Sequence, residues 1–191
     1  AFYATQIGNK GHYLDLVTKV GNLSSNYQTT YGDSADFDNW AFSAGAEMAE
    51  ESPENEWFVE PQAQLTYYFL KGDNYTTKNG ATVNQDNTDN LVGRLGAVLT
   101  KEYDKETKNP KRFYVKASVQ HDFLGGRSQH LQQNGMSYYD SNDFRDTWYT
   151  VGIGTNVHSD DKYAFYFDAE KNFGADFKSK YRVKVGLRYE F

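Results

Sequence analysis

The last ten residues, Arg182-Val183-Lys184-Val185-Gly186-Leu187-Arg188-Tyr189-Glu190-Phe191, alternate without a fault. Val183, Val185, Leu187, Tyr189 and Phe191 are apolar; the residues between them are charged or glycine. Period two predicts a β-strand with one greasy face and one wet face. Ten residues is also the length of a tilted strand that crosses a bilayer.

The same alternation recurs upstream. Tyr163–Phe173, Trp148–Val157, Arg112–Phe123, Leu91–Lys101, Trp57–Phe69, Trp40–Met48 and His12–Val20 each set apolar residues against polar or small ones. Phe2–Ile7 adds a short segment of ambiguous phase. Aromatic residues stand at the ends of the apolar stripes, as in Trp57, Tyr67 and Phe69 or Phe113 and Phe123, which suits a girdle at a membrane interface. Composition points the same way. Aromatics make up 17% of 191 residues, yet mean hydropathy is −0.82. A soluble core would need more aliphatic residues, whereas a barrel that faces lipid outside and water inside has low average hydropathy. The sequence has no 18-residue apolar run, so no transmembrane helix is expected.

The connections alternate in length. Short turns are expected at Gly8–Gly11, Glu51–Glu56 and His158–Lys162, with a medium one at Tyr103–Lys111. Long loops are expected at about 21–38, 71–89 and 125–146, and a moderate one at 174–180. Outer-membrane barrels have short periplasmic turns and longer outer loops. With the final strand ending in the periplasm, every long loop lies at the cell surface. The fold expected is therefore an all-β transmembrane antiparallel barrel of outer-membrane type, filling residues 1–191 with about nine strands. Bacterial single-chain barrels usually have an even count. Nine strands point to a barrel whose N-terminal strands precede Ala1; if Phe2–Ile7 is an arm, eight strands could instead close as a small barrel.

Four stretches carry a family resemblance: Tyr13-Leu14-Asp15; Val59-Glu60-Pro61-Gln62-Ala63-Gln64; Val92-Gly93-Arg94-Leu95-Gly96; and the ending Gly186-Leu187-Arg188-Tyr189-Glu190-Phe191. Weaker support comes from Tyr114-Lys116-Ala117 and Val151–Asn156. In this order and spacing the chain resembles the C-terminal translocator domain of monomeric autotransporters, the type V secretion family. The resemblance implies a twelve-stranded barrel, of which strands four to twelve are present here, without the first three strands and the pore helix. It also implies an N-terminal passenger, anchored and delivered to the cell surface. The runner-up function is a complete small barrel whose long loops act in adhesion.

Candidate functional residues follow from facing. Val183, Val185, Leu187, Tyr189 and Phe191 resemble the signal read by the barrel-assembly machinery; an exposed last strand can pair with an insertase edge. Equally, they are ordinary lipid-facing residues. Glu60, Gln62, Gln64 and Arg94 point into the lumen, where Glu60 and Arg94 on paired strands would brace the wall. Further lumenal acids are Asp15, Glu47, Asp122, Asp168 and Glu170. Pro61, mid-strand, implies a bulge or local unpairing.

Other chemistry finds little footing. There are no cysteines, which removes disulfides and thiol chemistry. A net charge of −6 argues against a nucleic-acid partner. The four histidines lack zinc or triad spacing, no phosphate-loop string is present, and the acidic Asp33–Asp38 stretch lacks calcium-loop spacing. No cofactor and no enzyme activity are expected; His130 and Asp140, in one long loop, are the only loose catalytic candidates, and such pairs are more often solvated loop residues. Arg127, Arg145, Lys178 and Lys180, near outer-loop bases, could meet lipopolysaccharide phosphates, or be plain solvated charge.

Overall fold

The computed structural model describes residues 1–8, 12–50, 56–104, 111–158, 163–174 and 181–189. These form one antiparallel sheet of thirteen strands. Nine strands run side by side as the wall: β1 (Phe2–Ile7), β2 (His12–Gln28), β3 (Ser34–Glu50), β4 (Trp57–Leu70), β7 (Thr88–Tyr103), β8 (Lys111–Asp122), β11 (Thr147–His158), β12 (Tyr163–Phe173) and β13 (Arg182–Tyr189). The remaining four are β5 (Asn74–Thr76), β6 (Thr82–Gln85), β9 (Gly126–Gln133) and β10 (Met136–Asp143). The wall is a curled half-barrel, with β1 and β13 at the two ends of the path.

Burial is inverted relative to a water-soluble domain. Buried polar residues include Asn39, Thr100, Glu102, Gln120, Asp122, Thr150 and Asp168, whereas the buried hydrophobic set is Ala35, Ala49, Phe58 and Val83. Large apolar residues on the opposite phase are exposed, among them Leu65, Leu95, Val115, Ile153, Val183, Val185 and Leu187. Burying carboxylates while exposing aliphatics costs free energy in water at both faces. Hydrocarbon against the convex face and water in the concave face remove both costs.

The long outer segments expected at 71–89 and 125–146 carry short strands of their own. The first holds the hairpin β5–β6, the second the hairpin β9–β10, and β6 pairs with β9. The expected loop at 21–38 is a continuation of β2 and β3, paired as far as Gln28↔Ser34. The turns have a chemical cause. Asn134 and Gly135 both take positive φ, at 50° and 77°, as a two-residue hairpin turn requires. Gly80 and Gly32 serve the other two turns, at φ 82° and 80°. The three hairpins join into one collar beyond the membrane band. Phe37 stacks on Tyr75 at 4.8 Å between ring centroids, Lys78 N donates to Ser34 O at 2.9 Å, and Gln133 Nε2 donates to Asn79 O at 3.1 Å.

Pro61 causes no bulge. The β4–β7 register runs unbroken from Trp57↔Lys101 to Leu70↔Thr88, with Pro61 opposite Ala97. On its other side the β3–β4 ladder stops at Ala49↔Gln62, one residue short of the proline. The missing N–H thus falls where the pairing ends. The periplasmic turns lie largely outside the described residues, as does all but Gly174 of the moderate loop expected at 174–180.

Candidate functional site

The concave face is built in rows, because directly paired residues of neighbouring strands share a face. One row reads Asp15, Glu47, Gln64, Arg94 and Gln120 across β2, β3, β4, β7 and β8. Arg94 is its hub. Its Nη2 meets Glu47 Oε1 at 2.8 Å, its Nε donates to Gln64 Oε1 at 3.0 Å, and its Nη1 to Gln62 Oε1 at 3.2 Å. Gln62 Nε2 donates onward to Glu60 Oε1 at 2.6 Å, which also accepts from the Tyr13 hydroxyl at 3.3 Å. Glu47 and Arg94 side chains are each 24% exposed, so the pair is partly shielded.

The four residues singled out from the sequence are brought together, but the carboxylate facing Arg94 is Glu47 and not Glu60. The reason is register. Arg94 stands opposite Gln64, whereas Glu60 stands opposite Val98. Four residues along a strand is about 13 Å, beyond direct contact, so Glu60 reaches Arg94 only through Gln62.

A second constellation spans β8, β11, β12 and β13. Lys116 Nζ contacts Asp168 Oδ2 at 2.6 Å and Glu170 Oε1 at 2.5 Å, and the Tyr114 hydroxyl donates to Asp168 Oδ2 at 2.8 Å. Arg182 Nη1 reaches Glu170 Oε2 at 3.3 Å. Two glycines make room for aromatic rings laid across the wall. A Cβ on Gly154 would stand 2.2 Å from Tyr114 Cζ, and one on Gly186 2.1 Å from Tyr166 Cε1. No side chain but hydrogen fits beneath either ring.

The two loose catalytic candidates are not brought together. His130 and Asp140 lie on opposite faces of the β9–β10 hairpin: Asp140 pairs with Gln129, and His130 with Tyr139. Among the described residues no group of three or more His, Cys, Asp or Glu could hold a metal ion. Of the outer cations, Arg145 is held by Asp143 through Nε at 2.9 Å and Nη2 at 2.5 Å. That guanidinium keeps the Asp143 carboxyl well below the usual carboxylate range, at about 2. Lys178 and Lys180 lie outside the described residues.

The final strand carries Val183, Val185, Leu187 and Tyr189 on the convex face, between 42% and 69% exposed. Phe191, the fifth residue of the expected assembly signal, lies outside the described residues.

Residues 1–170 match the family described as Autotransporter beta-domain. The chain is 25% identical over 194 residues to the pertactin autotransporter of Bordetella bronchiseptica, covering 99% of this chain and 21% of that protein. It is also 25% identical to the BrkA autotransporter of Bordetella pertussis, covering 99% of this chain and 19% of that protein. The crystal structure of the BrkA β-domain superposes with a TM-score of 0.71 at 23% identity, covering 99% of this chain and 71% of that one. The chain thus spans about a fifth of the length of these two relatives. An apolar convex wall, a polar ion-paired concave face and the match over residues 1–170 lead to one assignment: this chain belongs to the autotransporter β-domain family, translocator barrels of the bacterial outer membrane.

Proposed function

We propose that this half-barrel is strands four to twelve of a twelve-stranded translocator that anchors an N-terminal passenger and delivers it to the cell surface. The observation that carries this reading is the concave face, which is polar, water-facing and cross-linked by its own ions. A wall of that kind can enclose a hydrated polypeptide without sequence-specific grip. The Glu47–Arg94–Gln62–Glu60–Tyr13 chain ties β2, β3, β4 and β7 together, and the Lys116 cluster ties β8 to β12. Glu60, Gln62, Gln64 and Arg94 accordingly act as braces that hold the wall's curvature while a chain passes. Closure between β1 and β13 is supplied by the strands that precede β1 in the whole barrel.

The same proposal gives β13 a second duty. It stands at one end of the strand path and sets Val183, Val185, Leu187 and Tyr189 toward lipid. The barrel-assembly machinery would read that stripe, together with Phe191, by strand pairing along the edge. Arg127, on the β9–β10 hairpin, would offer one cation to lipopolysaccharide phosphates.

The test uses the full-length protein in intact cells. Protease added from outside should cut the region upstream of the β-domain. A variant lacking the β-domain should leave that region protected. Export of the upstream region without the β-domain would refute the proposal, and so would its retention inside when the β-domain is intact.

A further inference from the structure

Three lysines on the barrel strands take the lipid-facing phase: Lys101, Lys111 and Lys171. Each lies on a stripe that is mainly apolar or aromatic. They are not equivalent. Lys111 Nζ meets Asp104 Oδ2 at 2.8 Å, so its charge is answered by the protein. Lys171 lies toward the outer collar, 5.6 Å from the Tyr181 ring centroid. Lys101 is near the periplasmic end of β7, and no described carboxylate lies within ion-pair distance of it. Its Nζ sits instead between two aromatic faces, 5.1 Å from the Trp57 ring centroid and 4.7 Å from that of Tyr103. Both rings are about half exposed on the convex side, at 54% and 48%.

Depth places this cation at a boundary. The convex residues of β7 from Leu91 to Leu99 are leucine, alanine and glycine. Those eight steps rise about 27 Å along the strand, or about 20 Å along the membrane normal at a tilt near 40°. Lys101 lies about 5 Å beyond, at the edge of a hydrocarbon band of about 25 Å. A lysine within the band would cost several kcal/mol, and one far outside would need no aromatic support. Two π-faces hold the ammonium by attraction to the ring quadrupoles, and no described carboxylate neutralises its charge. Trp and Tyr are also the side chains that settle at headgroup level.

We infer that Trp57, Lys101 and Tyr103 form a binding site for the phosphate of an anionic glycerophospholipid in the periplasmic leaflet. The phosphate sits against the Lys101 ammonium, the acyl chains descend over Val59, Leu99 and Val115, and the rings flank the glycerol region. A zwitterionic lipid carries its own ammonium and therefore gains less from the cation. Such a lipid would pin the depth of the β4–β7–β8 side of the wall, and it is distinct from any lipopolysaccharide contact at the outer hairpins.

The experiment is native mass spectrometry of the full-length protein released from detergent after incubation with phosphatidylglycerol or phosphatidylcholine. The wild type should retain one phosphatidylglycerol in preference to phosphatidylcholine. Lys101→Gln should weaken that retention about fivefold, the effect of one basic residue at a membrane surface, while Lys101→Arg keeps it. Lys111→Gln should leave it unchanged, and millimolar glycerol 3-phosphate should not displace the lipid. Equal retention by Lys101→Gln would overturn the site. An equal loss in Lys111→Gln would show diffuse charge instead, and displacement by glycerol 3-phosphate would show a free-phosphate site. A variant that fails to fold is recognised by loss of its heat-modifiable migration; Trp57→Ala then replaces it, with the same expected loss of preference.

Discussion

Gly154→Ala is the smallest change that should disturb the lumen. Its Cβ would stand 2.2 Å from Tyr114 Cζ and 2.3 Å from the Tyr114 hydroxyl oxygen, where real contacts need more than 3 Å. Gly154 and Tyr114 are direct cross-strand partners, so the backbone cannot separate them without breaking the β8–β11 ladder. The ring must therefore leave, and its hydrogen bond to Asp168 Oδ2 at 2.8 Å goes with it. A hydrogen bond to a charged acceptor contributes about 1.5–3 kcal/mol, and the wet lumen favours the lower end. Forcing the ring from its rotamer adds about 1 kcal/mol. The sum is about 2–3 kcal/mol, read by guanidinium unfolding of the full-length protein in lipid vesicles. Tyr114→Ala removes the obstacle, so Gly154→Ala on that background should cost less than about 0.5 kcal/mol. Equal costs on both backgrounds, or a neutral single variant, would refute the idea that this glycine exists to seat the ring.

Two further predictions concern charge. A double-mutant cycle should couple Arg94 to Glu47 by about 1–2 kcal/mol and Arg94 to Glu60 by less than about 0.5 kcal/mol, since only the first pair is in direct contact. At the surface, Asp143 should titrate at about 2 by NMR, against an ordinary value of 3.8, and Arg145→Ala should return it to the ordinary range. Because folding lowers this pKa, the pair's contribution is present above about pH 4 and is lost as pH falls through about 2.

The wall was legible because membrane strands carry their environment on alternate residues. Tyr163–Phe173 is found with the boundaries that alternation predicts, and Arg182–Tyr189 lies within the predicted final strand. Strands standing in water on both faces have no such signature. Gly126–Gln133 and Met136–Asp143 are polar or mixed throughout, so period two in hydrophobicity cannot reveal them. Their signal was instead the Asn134-Gly135 pair, the strongest short hairpin cue, with Asn79-Gly80 marking β5–β6. Facing was likewise legible and register was not. Alternation placed Glu47, Glu60, Gln64 and Arg94 in one lumen, but only the pairing shows that Glu47 and Arg94 share a row.

The central claim is that the convex residues touch hydrocarbon. Val185 lies midway along β13, on the convex phase and 61% exposed. Equilibrium unfolding of the full-length protein in lipid vesicles, with Val185→Arg against wild type, tests this directly. A loss of about 2–4 kcal/mol is expected near the bilayer midplane, and a neutral substitution would contradict the assignment of the two faces.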